Sequence, residues 1–199
     1  MLDLKAEAAP DRRPAIVICA YDAGETGWDP VEDLSGVPWN PFGARTLAVA
    51  ASDPEILART LQGHLRDRTC RALLLVGRTA HGDSFRVQMR AENRALNGTD
   101  RLDDTGPGLA RATAPVAEIV RALNDAGLAA AASSDSEADA GSYLLYRILS
   151  SLPDGTDSPA IGLLRAPVAS SDAAVQRGVK AAAAAMASHL SPLPRAYSA

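Results

Sequence analysis

Two stretches of this sequence combine side chains that do chemistry with elements that sharpen it. "GRTAHGDS" (77–84) is a glycine-bounded polar loop leaving an apolar run. It offers His81 and Asp83 as a general base and its partner, or as ligand donors; the simpler reading is a solvated connection. "DAGSYLLYRILSSL" (139–152) is an acidic, glycine-containing turn that runs into an apolar helix. A helix start is where backbone N–H groups and the dipole lower a nucleophile's pKa or hold an oxyanion. Asp139 and Ser142 stand there, yet Leu144 and Leu145 follow and can do no chemistry. Cys19 inside one apolar run and Cys70 before another read as small core residues. His64 and His189 fall near helix ends and read as surface residues. No Cys/His cluster has metal-ligand spacing, and "TGPGLA" follows no strand, so neither a metal nor a nucleotide cofactor is expected.

The elements that must position these groups alternate. "AIVICA" (15–20), "RTLAVAA" (45–51), "RALLLVG" (71–77, closed by Gly77), "SFRVQMRAE" (84–92), "LAAAAS" (128–133) and "AIGLLRA" (160–166) read as strands. Between them lie helical stripes. Asp53 and Pro54 start one that carries Leu57, Leu61 and Leu65. Val116, Ile119, Val120 and Leu123 make a second, which Gly127 ends. Leu145, Ile148, Leu149 and Leu152 make a third, and Val175, Val179, Ala182 and Met186 the last. Residues 93–112 read as a polar loop. The expectation is a single-domain α/β/α sandwich with a mostly parallel, mixed sheet over 15–191, flanked by a mobile arm (1–14) and tail (192–199). Ligands in such sheets sit beyond the strand ends, so the loops after residues 20, 77, 92, 133 and 166 are the places to look.

Composition removes whole classes of function. Aromatic residues are 4% of the chain and the net charge is −4, which argues against a base-stacking nucleic-acid surface. No apolar run approaches the roughly 20 residues that cross a bilayer, and residues 1–14 are charged throughout. A cytoplasmic protein with two reduced thiols is expected.

Five segments, in order, resemble the pyroglutamyl peptidase I (pyrrolidone-carboxylate peptidase) family. "LLLVGRTAHGDSFRVQMRAEN" is similar to that family's strand ending in V-G, its loop and its next strand, with Gly77, Val87, Ala91 and Asn93 in register. "APVAEIVRALNDAGLAAAASSD" resembles its P-V-x-x-I-V-x-A-L-x-x-A-G helix and following strand. "AGSYLLYRILSSL" resembles its A-G-T-[FY]-x-C nucleophile helix. "IGLLRAPV" resembles G-F-I-H-V-P through Gly162 and Pro167, and "IVICAYDAGETGWDPV" resembles the first strand and turn.

The resemblance implies a hydrolase of N-terminal pyroglutamyl groups that uses a Cys nucleophile, a His base and an orienting Glu. In this register those positions hold Leu145, Arg165 and Gln88. Leu has no nucleophilic atom, Arg stays protonated and accepts no proton, and Gln stabilises no imidazolium by charge. The family's aromatic P-F-G-G turn is shortened to "YDAG", and the "NPFGA" string at 40–44 stands before the second strand, where it reads as coincidence. The expected function is therefore a catalytically inactive relative that binds or interacts through the former cleft. Arg165, with Arg90 or Arg147 and the loop residues Arg78, His81, Asp83 and Gln88, would receive a small carboxylate or a peptide N-terminus. Two enzymatic alternatives stand beside it. One is a rebuilt amidase with His81 as base, Asp83 or Asp139 orienting it, and Ser134, Ser136 or Ser142 as nucleophile. The other is surviving cysteine activity through Cys19 or Cys70. The resemblance also implies a homo-oligomer.

Overall fold

The structure, a computed structural model, describes residues 11–23, 28–96, 98, 100–153, 155 and 158–190. Residues 1–10 of the expected arm and the expected tail lie outside them, whereas Pro14 is already buried at the start of the first strand. In chain order the elements are β1 (Ala15–Ala20), β2 (Arg45–Val49), α1 (Pro54–Arg66), β3 (Cys70–Thr79), β4 (Phe85–Gln88), β5 (Arg90–Glu92), β6 (Leu109–Arg111), α2 (Val116–Asp125), β7 (Ala130–Ser133), α3 (Ala140–Leu149), β8 (Ala160–Pro167) and α4 (Asp172–Ala187).

Six strands form one sheet in the order β2-β1-β3-β8-β4-β7. Pairing is parallel except between β4 and β8, so the sheet is mixed as expected. The central strands β1, β3 and β8 are buried on both faces, which is why they read as unbroken apolar runs. One face, with Ile16, Leu74, Val87 and Leu164, packs under α2 and α4. The other, with Val17, Leu75 and Leu163, packs under α1 and α3. The stripes read from the sequence meet these faces: Leu57, Leu61, Ile119, Leu123, Leu145, Ile148, Val175, Val179, Ala182 and Met186 are all buried. Asp53 caps α1 by accepting from the N–H groups of Glu55 and Ile56, and Gly127 ends α2 at a φ of 74°.

Three local readings need correction. Gly77 does not end its strand: β3 continues to Thr79, with Gly77 paired to Arg165. The strand expected over 84–92 breaks at Met89 into β4 and β5, and the expected polar loop contains β6, which pairs with β5 in a separate antiparallel ribbon. The side chain of Gln88 donates to the carbonyl of Arg90 (2.8 Å) and so holds the chain where it leaves the main sheet. No helix among the described residues is long and apolar enough to cross a membrane.

Candidate functional site

Strand alternation assembles the site before any loop does. Side chains two apart in a strand share a face. Val17 and Cys19 face α1 and α3, and Tyr21 continues their row beyond the end of β1. Leu73, Leu75, Gly77 and Thr79 form the matching row on β3, Ile161, Leu163 and Arg165 on β8, and Arg86 and Gln88 on β4. The polar members of these rows gather at one end of the sheet beneath the start of α3.

Arg165 is the centre. It is 1% exposed and among the largest fully buried side chains in the molecule. Its Nε donates to Gln88 Oε1 at 2.8 Å. Nη1 donates to Asp139 Oδ2 at 2.6 Å and to the Tyr21 hydroxyl at 3.2 Å, and lies 3.4 Å from Glu137 Oε2. Nη2 donates to Asp139 Oδ1 at 2.8 Å and to Ser142 Oγ at 3.0 Å. A guanidinium has five N–H donors, and five contacts accept them. The pairing with Asp139 is bidentate, the geometry in which Arg binds a carboxylate most firmly. Asp139 also caps α3 by accepting from the Ser142 N–H at 2.9 Å.

The protonation states follow. Burial works to raise the Asp139 pKa, but its bonds to Arg165 and Ser142 outweigh burial and hold it below the usual carboxylate range. Burial works against the Arg165 charge, and the Asp139 bonds more than restore it. Tyr21 is pushed strongly upward, chiefly by burial, so its hydroxyl stays protonated.

Glycines make room for this packing. A Cβ on Gly77 would lie 2.1 Å from the Tyr21 ring, and one on Gly141 would lie 2.3 Å from the Tyr21 hydroxyl. The Tyr21 side chain therefore occupies the space between β3 and the first turn of α3. Beside it lies a small recess lined by Ser136, Glu137, Asp139, Ser142 and Tyr143.

The residues predicted from the sequence sort clearly. Gln88 and Arg165 bond each other, and Ser142 Oγ touches both, accepting from Gln88 Nε2 at 3.0 Å. Leu145 sits one turn farther along α3, fully buried among Cys19, Leu75 and Leu163. The pocket expected at Arg165 is filled by the chain's own Asp139. Arg147 is not beside it: Arg147 lies in the last turn of α3, and its carbonyl accepts from Gln62 of α1. Arg90 is directed to the carbonyl of Ser134. Arg78 ties β3 to the start of α4, donating to the Ser170 carbonyl at 2.5 Å and to Asp172 at 2.7 Å.

The rebuilt-amidase arrangement is not formed either. The His81 side chain is 69% exposed, and its Nδ1 lies 3.4 Å from Glu137 Oε2 and 3.4 Å from Thr79 Oγ1. Glu137, rather than Asp83 or Asp139, is the carboxylate facing it. Asp83 is exposed without a hydrogen-bond or ion partner among the described residues. Ser136 Oγ accepts from the Glu92 N–H, and Ser142 Oγ is held between Gln88 and Arg165. Both thiols are buried, and burial pushes Cys19 up to about 12 and Cys70 up to about 11, away from thiolate character at neutral pH. Sequence reasoning missed Tyr21 and Glu137. Tyr21 was signalled by its period-two place after Val17 and Cys19; Glu137 sits in an irregular turn with no periodicity to flag it. The "NPFGA" string carries an exposed Phe42 beside Pro14, at the opposite end of the sheet from Arg165, in keeping with coincidence.

The sheet order and the two helical layers are those of the pyroglutamyl peptidase I fold, also called pyrrolidone carboxyl peptidase. No family profile and no curated protein sequence matches the chain. Among solved structures it is similar to the pyrrolidone carboxyl peptidase from Thermus thermophilus, at 18% identity and a TM-score of 0.68 over 86% of this chain and 99% of that one. It is similar to pyroglutamyl peptidase I from Bacillus amyloliquefaciens at 14% identity, TM-score 0.69, over 89% and 98%. The enzyme from Thermococcus litoralis gives 13%, 0.65, 88% and 94%. At these identities the likeness establishes the fold.

Proposed function

We propose that this chain is a pyroglutamyl peptidase-like protein that does not run the peptidase reaction and acts in the cytoplasm by binding a partner. One observation carries the reading. Arg165, which stands at the family's base position in the register read from the sequence, is a buried permanent cation whose donors are all engaged within the chain. Amide hydrolysis by a covalent route needs a nucleophile and a group that takes its proton. Leu145 supplies no nucleophile, and the carboxylate beside Ser142, Asp139, is held bidentately by Arg165 with its pKa below the usual carboxylate range, which makes it a poor proton acceptor. The space around Arg165 is filled by the chain's own Tyr21, Gln88, Asp139 and Ser142. Binding is accordingly assigned to the surface and not to the interior of the former cleft.

The test is release of aminomethylcoumarin from its pyroglutamyl amide by the purified chain. No turnover above the buffer rate is expected, and none after Leu145→Cys, because a new thiol would still lack a proton acceptor. Turnover by the unmodified chain that disappears in Ser142→Ala would overturn the reading in favour of a serine amidase.

A further inference from the structure

We propose that the outer face of the β5–β6 ribbon is a docking surface for an acidic segment of a partner protein, gripped by Arg90 and Arg111. This rests on the binding role above and gives it a place and a chemistry. In the ribbon Arg90 stands directly opposite Arg111, and Glu92 opposite Leu109. Directly opposed residues of an antiparallel pair project to the same face with Cβ atoms about 4.5–5.5 Å apart, and like charges so placed repel. Both arginines are exposed. The carboxylate that could relieve them does not: Glu92, two residues along, pairs with Arg94 at 2.5 Å. Among the described residues neither Arg90 nor Arg111 has a carboxylate within 4.0 Å, and Arg111 makes no side-chain hydrogen bond. Single exposed arginines are ordinary, but two set face to face without a counter-charge are not.

The ribbon is also held rigidly, as a binding surface needs to be. Ala91 is buried against α3. Gln88 donates to the Arg90 carbonyl, the Ala112 N–H to the Met89 carbonyl, and the Glu92 N–H to Ser136 Oγ. Arg90 Nε donates to the Ser134 carbonyl at 2.7 Å, which aims the guanidinium and leaves its Nη groups for a ligand. The two forks suit carboxylates. The face is open, so it suits a chain segment better than an enclosed small molecule. The scarcity of aromatic side chains leaves nucleic acid no stacking platform.

The test measures binding of a fluorescein-labelled decaglutamate peptide to the whole chain at low salt. The intact chain binds it, affinity falls as salt rises from about 50 to about 300 mM, and Arg90→Ala/Arg111→Ala weakens binding roughly tenfold or more. Arg59→Ala/Arg66→Ala on α1 leaves it unchanged. Independently, Arg111→Glu raises the melting temperature, because it places a carboxylate opposite Arg90. The proposal is overturned if the intact chain does not bind, if the α1 variant loses as much, or if inorganic phosphate or a thymidine decamer binds and the peptide does not. It is equally overturned if Arg111→Glu lowers the melting temperature. Coumarin release would sink the non-peptidase reading without touching this one, and loss of peptide binding would do the reverse.

Discussion

Arg165 and Asp139 set the chemistry of the site by neutralising each other. An ion pair taken out of water recovers its desolvation cost only when geometry and hydrogen bonding are good, and here both forks are filled. Removing one partner is then worse than never having had the pair. Arg165→Met is expected to cost about 3–5 kcal/mol, read as a lower urea midpoint, with Arg165→Lys recovering only part because an ammonium cannot bridge Asp139, Gln88 and Ser142 together. The pair also sets an acid limit. Asp139 has a folded pKa below its unfolded value of about 3.9. Its contribution is therefore complete above that value and is lost as pH falls through the folded pKa. In stability measurements from pH 7 down to about 2, the wild-type chain should fall steeply below about pH 4. Asp139→Asn should be less stable at pH 7 and show a shallower acid limb. Equal acid limbs would mean that other carboxylates control the transition.

At the scale of elements, the decisive contact is between β1, β3 and α3 through the Tyr21 ring. Alanine favours a helix interior over glycine by about 1 kcal/mol, so on propensity alone Gly141→Ala in α3 would be neutral or stabilising. The structure demands the opposite, since the new Cβ would fall 2.3 Å from the Tyr21 hydroxyl. A destabilisation of about 1–3 kcal/mol by overpacking is expected. In the double variant Gly141→Ala/Tyr21→Leu the two effects should not add, because the clashing group has gone. Denaturation of both single variants and the double checks this. The same contact explains why Gly77 lies inside β3 instead of ending it: a residue that reads as a strand terminator is there to admit a ring from the neighbouring strand.

Over the whole molecule, the sheet divides one core into two apolar layers, and the thiols belong to one of them. Cys19 and Cys70 are buried and free. Both should react with a thiol reagent only when the chain opens, so labelling rates should rise with urea in step with global unfolding. Fast labelling of either in the native state would show local opening at β1 or β3.

The amino-acid sequence by itself determined the layers. Apolar runs can be strands buried on both faces, and stripes at i, i+3, i+4 and i+7 can be helices covering them, so the α/β/α order and most of the core were legible from spacing alone. It also determined that Leu145 and Arg165 bring neither a nucleophile nor a base. Only the tertiary structure decided what those residues do instead. Gln88 and Arg165 lie 77 positions apart, and Tyr21 and Arg165 lie 144 apart. Partnership at such range depends on strand order and register, which periodicity does not encode. That is why the anion pocket read from Arg165 became an internal ion pair, why His81 met Glu137 and not Asp83, and why β5 left the main sheet to set Arg90 against Arg111.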